Sequence, residues 1–188
     1  MARGKIIFLN GTSSSGKTSI AKALQQVLDE PYLHFGVDDF IMMLPDRYFC
    51  DDKQEELSML IPQAISGTHR CIAASASAGN NIVVDHVLEQ RPWLEECVDT
   101  LTDFSVLFVG IRCPLEELER RERGRNRRPG LAKWQFDHVH AHGVYDVEVD
   151  TSVHSAMQCA LQIKDALQAN LSSGAFRQLR GTPADRTT

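Results

Sequence analysis

Five short apolar runs punctuate the chain, and each is followed by a stretch with helical spacing. "KIIFLN", "YLHFGVD", "NNIVVDHV", "FSVLFVGIRC" and "YDVEVD" are rich in β-branched and aromatic residues, and the first, third and fourth are nearly continuous in apolar character. Runs of that kind predict strands buried on both faces of a sheet. Between them, "KTSIAKALQQVLDE" places Ile20, Leu24, Val27 and Leu28 on one helical stripe. "DFIMMLP" predicts a short helix closed by Pro45, and "DRYFCDDK" a polar loop. Residues 54–78 predict a long helix with irregularity at Pro62 and Gly67. "RPWLEECVDTLTD" predicts a helix with Pro92 near its start, where a missing N–H costs least. "PLEELERRERGR", "LAKWQFDHVHAH" and "SVHSAMQCALQIKDALQANL" predict three more helices. The residues from Ser172 onward are polar and predict a frayed tail, with Phe176 and Leu179 as the side chains able to dock.

Strands alternating with helices predict an α/β fold of three layers around a mostly parallel, five-stranded sheet. At 188 residues the chain predicts a single domain over residues 1–171, with 172–188 as a flexible tail. A net charge of -5 argues against a general nucleic-acid binder. The apolar run near the N-terminus is too short for a signal peptide or a membrane span. The five cysteines are scattered and form no CxxC pair, which argues against a metal cage or disulfide framework and predicts a cytoplasmic home.

In sheets of this kind ligands sit at the carboxyl ends of the strands. The first strand runs into "GTSSSGKT", which fits G-x-x-x-x-G-K-[ST] from Gly11 to Thr18. The expected strand precedes it and the expected helix follows. Gly11 and Gly16 let the backbone turn so that the N–H groups of Thr12, Ser13, Ser14 and Ser15 face phosphate oxygens. The helix N-terminus adds positive potential. Lys17 brings a charge to the β- and γ-phosphates, and the Thr18 hydroxyl suits Mg²⁺. The loop predicts nucleotide binding and leaves open whether the phosphate is transferred.

Transfer to a hydroxyl needs a carboxylate to support Mg²⁺ and another to accept the proton. Asp85 ends the third apolar run and is the candidate metal supporter. Asp38 ends the second and is the candidate base, with neighbouring Asp39 read as a helix-capping or first-turn acid. Residues from about 120 to 133 concentrate Arg120, Arg121, Arg123, Arg125, Arg127 and Arg128 between Gly124 and Gly130 and their flanks. Such a segment predicts an arginine-rich lid that closes over the nucleotide and excludes water, with Arg125, Arg127 and Arg128 as phosphate contacts. The competing reading is a solvated helix face whose glutamates pair with the arginines. His138, His140 and His142 read as a polar helix end. The apolar cluster from Phe40 to Leu44 predicts core together with part of a pocket for a flat, moderately apolar ligand.

Taken in order, "FLNGTSSSGKTSI", "FGVDDFI", "IVVDHV", "VGIRC" and "VYDVEVDTS" resemble the chloramphenicol phosphotransferases, P-loop enzymes that move the ATP γ-phosphate to an antibiotic hydroxyl. The resemblance runs from about residue 5 to residue 155. It implies ATP as the nucleotide, Mg²⁺ as the metal, Asp38 as the base, Lys17 and Thr18 as phosphate and metal contacts, and a lid falling loosely on Arg125 to Arg128. Thr18 stands where the family has serine, a chemically equivalent hydroxyl. "RYFCDDKQEELSMLIPQ" departs from the family pattern in the segment expected to wall the acceptor pocket. The expectation is therefore an ATP-dependent O-phosphotransferase acting on a small hydroxyl compound, an antibiotic such as chloramphenicol being the first candidate. Kinases of the shikimate or gluconate sort use the same parts, and a nucleotide-dependent switch is the alternative from another class. No nucleic acid or membrane partner is expected. A homo-oligomer through helices around Trp93 or Trp134 is left open.

Overall fold

A computed structural model describes residues 2–124, 130–169 and 174–181. Five strands form one parallel sheet: β1 (Ile6–Asn10), β2 (Tyr32–Gly36), β3 (Asn81–His86), β4 (Val106–Arg112) and β5 (Val147–Asp150), in the order β2-β3-β1-β4-β5. Eight α-helices among the described residues connect and cover them: α1 (Lys17–Val27), α2 (Val37–Ile41), α3 (Gln54–Ser77), α4 (Arg91–Thr100), α5 (Leu115–Arg123), α6 (Leu131–Phe136), α7 (Ala156–Gln168) and α8 (Gly174–Arg180). The fold class is the one expected.

Period-2 alternation of side chains divides the core between the two faces of the sheet. Ile7, Leu9, Val83, Leu107 and Val109 point to the side covered by α1 and α7, where Ile20, Leu24, Cys159 and Ile163 meet them. Ile6, Phe8, Ile82, Val84 and Phe108 point to the side covered by α3, α4 and α8. Because both faces are covered, even the alternate positions are apolar, and β1 is buried along its whole length. The carboxyl ends of β1, β2 and β3 lie together in register, with Leu9 opposite Asp85 and Gly36 also opposite Asp85. That edge receives the candidate site.

Four local expectations change. The second strand ends at Gly36, so Asp38 sits in the first turn of α2 instead of at a strand end. "DRYFCDDK" winds into two short 3₁₀ turns, Asp46–Phe49 and Asp51–Lys53. The long helix α3 continues through both Pro62 and Gly67. The helix α6 stops at Phe136, so the histidines beyond it do not form a helix end. His140 hydrogen-bonds through Nδ1 with the Tyr145 hydroxyl at 2.7 Å, and His142 stacks on Phe108 at 5.4 Å between ring centres. Burial pushes both imidazoles down to about 4, with Arg112 acting in the same direction. They are neutral packing groups near pH 7. Trp93 is buried within this chain, which removes it as a partner contact, while Trp134 stays exposed.

The expected frayed tail is also corrected in part. Residues 174–180 form α8, and Phe176 is only 4% exposed. Its ring lies 5.0 Å from that of Phe108 and 6.0 Å from that of Phe8. Leu179 packs on the same cluster. Asp146 fastens the helix start, its Oδ1 accepting from the Ala175 N–H at 2.8 Å while its Oδ2 accepts from the Phe108 N–H at 2.8 Å. A single large aromatic with two ring partners outweighs the polar composition around it. Phe176→Ala is expected to lower stability by about 3–5 kcal/mol, read from urea unfolding midpoints. A loss below about 1 kcal/mol would show that α8 adds little to the core.

Candidate active site

The turn from β1 into α1 is built by three unusual backbone positions. Gly11 passes so close to β4 that a Cβ there would lie 2.8 Å from the Ile111 carbonyl oxygen. Ser14 has φ 63 and Gly16 has φ 98, both left-handed, and Gly16 is the residue that precedes α1. This curls residues 11–16 into a concave loop with its amides gathered at a helix N-terminus, the arrangement that binds phosphate. Thr12, Ser13, Ser14 and Ser15 are all buried in it. Lys17 is only 6% exposed; its Nζ donates to the Thr12 carbonyl at 2.9 Å and lies 3.8 Å from Asp85 Oδ1.

Thr18 Oγ1 donates to Asp85 Oδ2 at 2.6 Å. Burial by itself would raise Asp85, but the Lys17 charge, the nearby His34 imidazole and the Thr18 hydrogen bond outweigh it and hold the carboxyl down to about 2. Asp85 is therefore ionised at every working pH. Two adjacent oxygen donors, one anionic, suit a small hard cation that keeps several waters and also takes phosphate oxygens. The expected metal pair of Thr18 and Asp85 thus stands together, on two elements 67 positions apart in sequence.

Asp38 is exposed on the first turn of α2 and faces the cavity that also contains the loop. That cavity is about 360 Å³. Its lining combines the phosphate loop with Lys17 and Thr18, the apolar side chains of Val37, Ile41, Ile61, Ile65, Trp93 and Leu131, and the carboxylates of Asp38, Asp39, Asp85 and Glu89. Asp39 turns back over Gly36, where a Cβ would come within 2.6 Å of its Oδ2, so it serves the local turn. The apolar wall differs from the expected one. Phe40 stacks on Phe35 and Met42 and Met43 are 62% and 72% exposed, leaving Ile41 as the contribution of that cluster to the cavity. Ile61 and Ile65 of α3 supply what the methionines do not.

The basic segment divides. Arg125, Arg127 and Arg128 lie outside the described residues. Arg120 pairs with Glu117 on its own helix, as the solvated-face reading requires. Arg121 behaves differently: its guanidinium donates to the Thr151 hydroxyl at 3.0 Å and the Thr151 carbonyl at 2.7 Å, and Glu117 holds its Nε at 2.8 Å. Thr151 in turn donates to the Ser15 carbonyl at 2.8 Å. Arg121 is thus a brace behind the phosphate loop, fastening it to the end of β5. Buried Glu122 accepts from the Gly130 N–H at 2.9 Å and the Ala132 N–H at 3.1 Å, so it ties the two ends of the segment together and caps α6.

Sequence reasoning missed Gln135, Glu89 and the paired histidines. Gln135 bridges the loop to Glu89. His86, beside Asp85, meets His69 through their Nε2 atoms at 3.0 Å, and burial pushes His86 down to about 3, keeping it neutral beside Lys17. Adjacency to an aspartate at a strand end was the only signal for His86, and the other contacts join distant positions.

Comparisons with known proteins establish the family and the fold. A protein of Mycobacterium tuberculosis (strain H37Rv) bearing the curated name "Putative O-phosphotransferase Rv2636" is 32% identical over 201 residues, covering 96% of this chain and 89% of that protein. The solved APS kinase CysC of Mycobacterium tuberculosis, in complex with AMPPNP and APS, superposes with a TM-score of 0.64 at 17% identity, over 89% of this chain and 99% of that one. Shikimate kinase from Acinetobacter baumannii, in complex with shikimate, gives a TM-score of 0.64 at 15% identity, over 89% and 94%. At such identities these two structures establish the fold alone. The family model described as "Chloramphenicol phosphotransferase-like protein" matches residues 4–168. This chain, a phosphotransferase by relationship, belongs to the chloramphenicol phosphotransferase-like family.

Proposed function

We propose that the protein transfers the γ-phosphate of ATP to a hydroxyl group of a small, partly apolar molecule, with an antibiotic of the chloramphenicol kind as the first acceptor to test. The observation that carries this reading is a single cavity whose lining combines the phosphate loop, the Asp38 carboxylate and a set of apolar side chains. Nucleotide phosphates fit the loop amides and the Lys17 charge. Thr18 and Asp85 would hold Mg²⁺, which supplies charge neutralisation at the bridging phosphate oxygens. Asp38 takes the acceptor's hydroxyl proton as its oxygen attacks the γ-phosphorus in line, and the bond to the β-phosphate oxygen breaks to release ADP. The arginines at 125, 127 and 128 fit the role of phosphate contacts in a closing lid. Val37, Ile41, Ile61, Ile65 and Trp93 exclude water from the transfer, which favours the alcohol over hydrolysis.

A hydroxy-acid acceptor, as in the shikimate or gluconate kinases, calls for a cation to meet its carboxylate. Among the described residues lining the cavity, Lys17 is the one Lys or Arg, and it is engaged with the loop and Asp85. Asp38, Asp39 and Glu89 add negative charge to the same lining. This charge pattern favours an acceptor without a negative group. In the described residues no helix is long and apolar enough to cross a membrane.

The test is ATP turnover with chloramphenicol and a panel of hydroxyl-bearing antibiotics, with product mass measured directly. A product heavier by one phosphoryl group supports the reading. ATP hydrolysis with no phosphorylated product from any member would turn it toward the switch alternative.

A further inference from the structure

The side chain of Gln135 connects the phosphate loop to Glu89 across the cavity lining. It is 5% exposed, and both ends of its amide are engaged. Oε1 accepts from the Ser13 backbone N–H at 2.7 Å, although Ser13 lies 122 positions away. Nε2 donates to Glu89 Oε2 at 2.7 Å. Ser13 belongs to the phosphate loop, Glu89 feels the charge of Asp38, and all three residues line the same cavity. The Ser13 N–H, part of the loop expected to meet phosphate, is here bonded to a neutral carbonyl oxygen. Hydrogen bonds to a charged acceptor are roughly twice as strong as those to a neutral one. A phosphate oxygen arriving at the loop therefore outcompetes Gln135 for this N–H.

Glu89 feels the other end of the same amide. Burial pushes its carboxyl up, Asp38 adds to that, and the Gln135 hydrogen bond opposes it. Glu89 therefore relies on Gln135 as a donor that favours its ionised form. Gln135 in turn is anchored on α6, whose first turn is held by Glu122 at the base of the basic segment. Any shift of this amide is transmitted to both substrates' ends of the site.

We propose that Gln135 is a positioning residue that couples the nucleotide to the acceptor: it holds the Ser13 N–H and Glu89 together, yields the N–H to a nucleotide phosphate, and thereby repositions Glu89 for a hydrogen-bond donor on the acceptor. Acceptor binding then follows nucleotide binding. This rests on the proposed function only in requiring that the loop bind nucleotide phosphate.

Nucleotide binding tests it without turnover. Mg·AMPPNP is titrated into ¹⁵N-labelled wild-type protein, following the Ser13 backbone amide and the Gln135 side-chain NH₂. Its dissociation constant is measured by calorimetry for wild type, Gln135→Leu and Gln135→Glu. Both wild-type resonances are expected to move together on binding. Gln135→Leu, which removes the internal competitor and keeps the apolar stem, is expected to bind about three- to tenfold tighter, the worth of one exchanged hydrogen bond. Gln135→Glu is expected to bind more weakly, because a carboxylate competes better for the N–H and repels phosphate. A Gln135 amide that does not move, or a Gln135→Leu protein that binds no tighter, makes Gln135 a static brace and overturns the proposal. Failure of Mg·AMPPNP to bind wild type overturns it together with the nucleotide reading, whereas nucleotide binding without phosphoryl transfer from ATP to any acceptor overturns the transfer reading and leaves the Gln135 exchange standing.

Discussion

Asp38→Asn is expected to lower kcat by a factor of about 10² to 10⁴ while leaving the dissociation constant for Mg·AMPPNP within about threefold of wild type. The amide is isosteric with the carboxylate and cannot take the hydroxyl proton. Asp38 is exposed on the first turn of α2, so the exchange removes no buried charge and the fold should survive. Lys17, Thr18 and Asp85 contact one another and the loop, and these contacts stay in place when the Asp38 carboxylate is exchanged for an amide. Steady-state kinetics on whichever acceptor gives product, alongside calorimetry with the nucleotide analogue, separates the two. A kcat within threefold of wild type would remove Asp38 as the base and point to Asp39 or Glu89, which also line the cavity.

Lys17→Met should be nearly as damaging, and on both quantities. The methionine fills the buried stem of the lysine but brings no charge to the transferred phosphate. Losing one well-placed electrostatic donor costs on the order of 10² to 10³ in rate. Asp85 also loses the charge that most lowers its pKa, so burial raises its carboxyl and its grip on a cation weakens. Nucleotide affinity is therefore expected to fall together with kcat, in contrast to Asp38→Asn. Lys17→Arg should not rescue activity, since the larger fork does not fit a side chain 6% exposed between Thr12 and Asp85. Full activity in the arginine variant would mean that a diffuse positive charge suffices and that the tight geometry around Nζ is incidental.

How much of this site can be read from residues alone depends on how far apart the interacting positions lie. Gly11 to Thr18 form one continuous turn whose backbone shape is dictated by its own glycines, so the loop is legible as a motif. Asp85 is legible because it ends an apolar run, which in a parallel sheet means the carboxyl edge. Asp38 is legible by the same rule, although it belongs to the following helix. Met42 and Met43 lie just beyond α2 and stay exposed, because apolar character by itself cannot say whether a residue past a helix end turns toward a cavity or toward solvent. The basic segment looked uniform, yet Arg120 pairs along its own helix and Arg121 clamps the loop through Thr151.

By itself the sequence determined the sheet's strands, the phosphate loop and the position of Asp85 at the carboxyl edge of the sheet, because each depends on local spacing and on the two-residue period of a buried strand. Only the tertiary structure decided that Phe176 closes the core, that Glu122 ties off the basic segment, and that Gln135 stands between Ser13 and Glu89. Each of these last rests on one side chain meeting a group from a distant part of the chain. A lone Phe, Glu or Gln carries no periodicity, and its partner is set by how the layers pack.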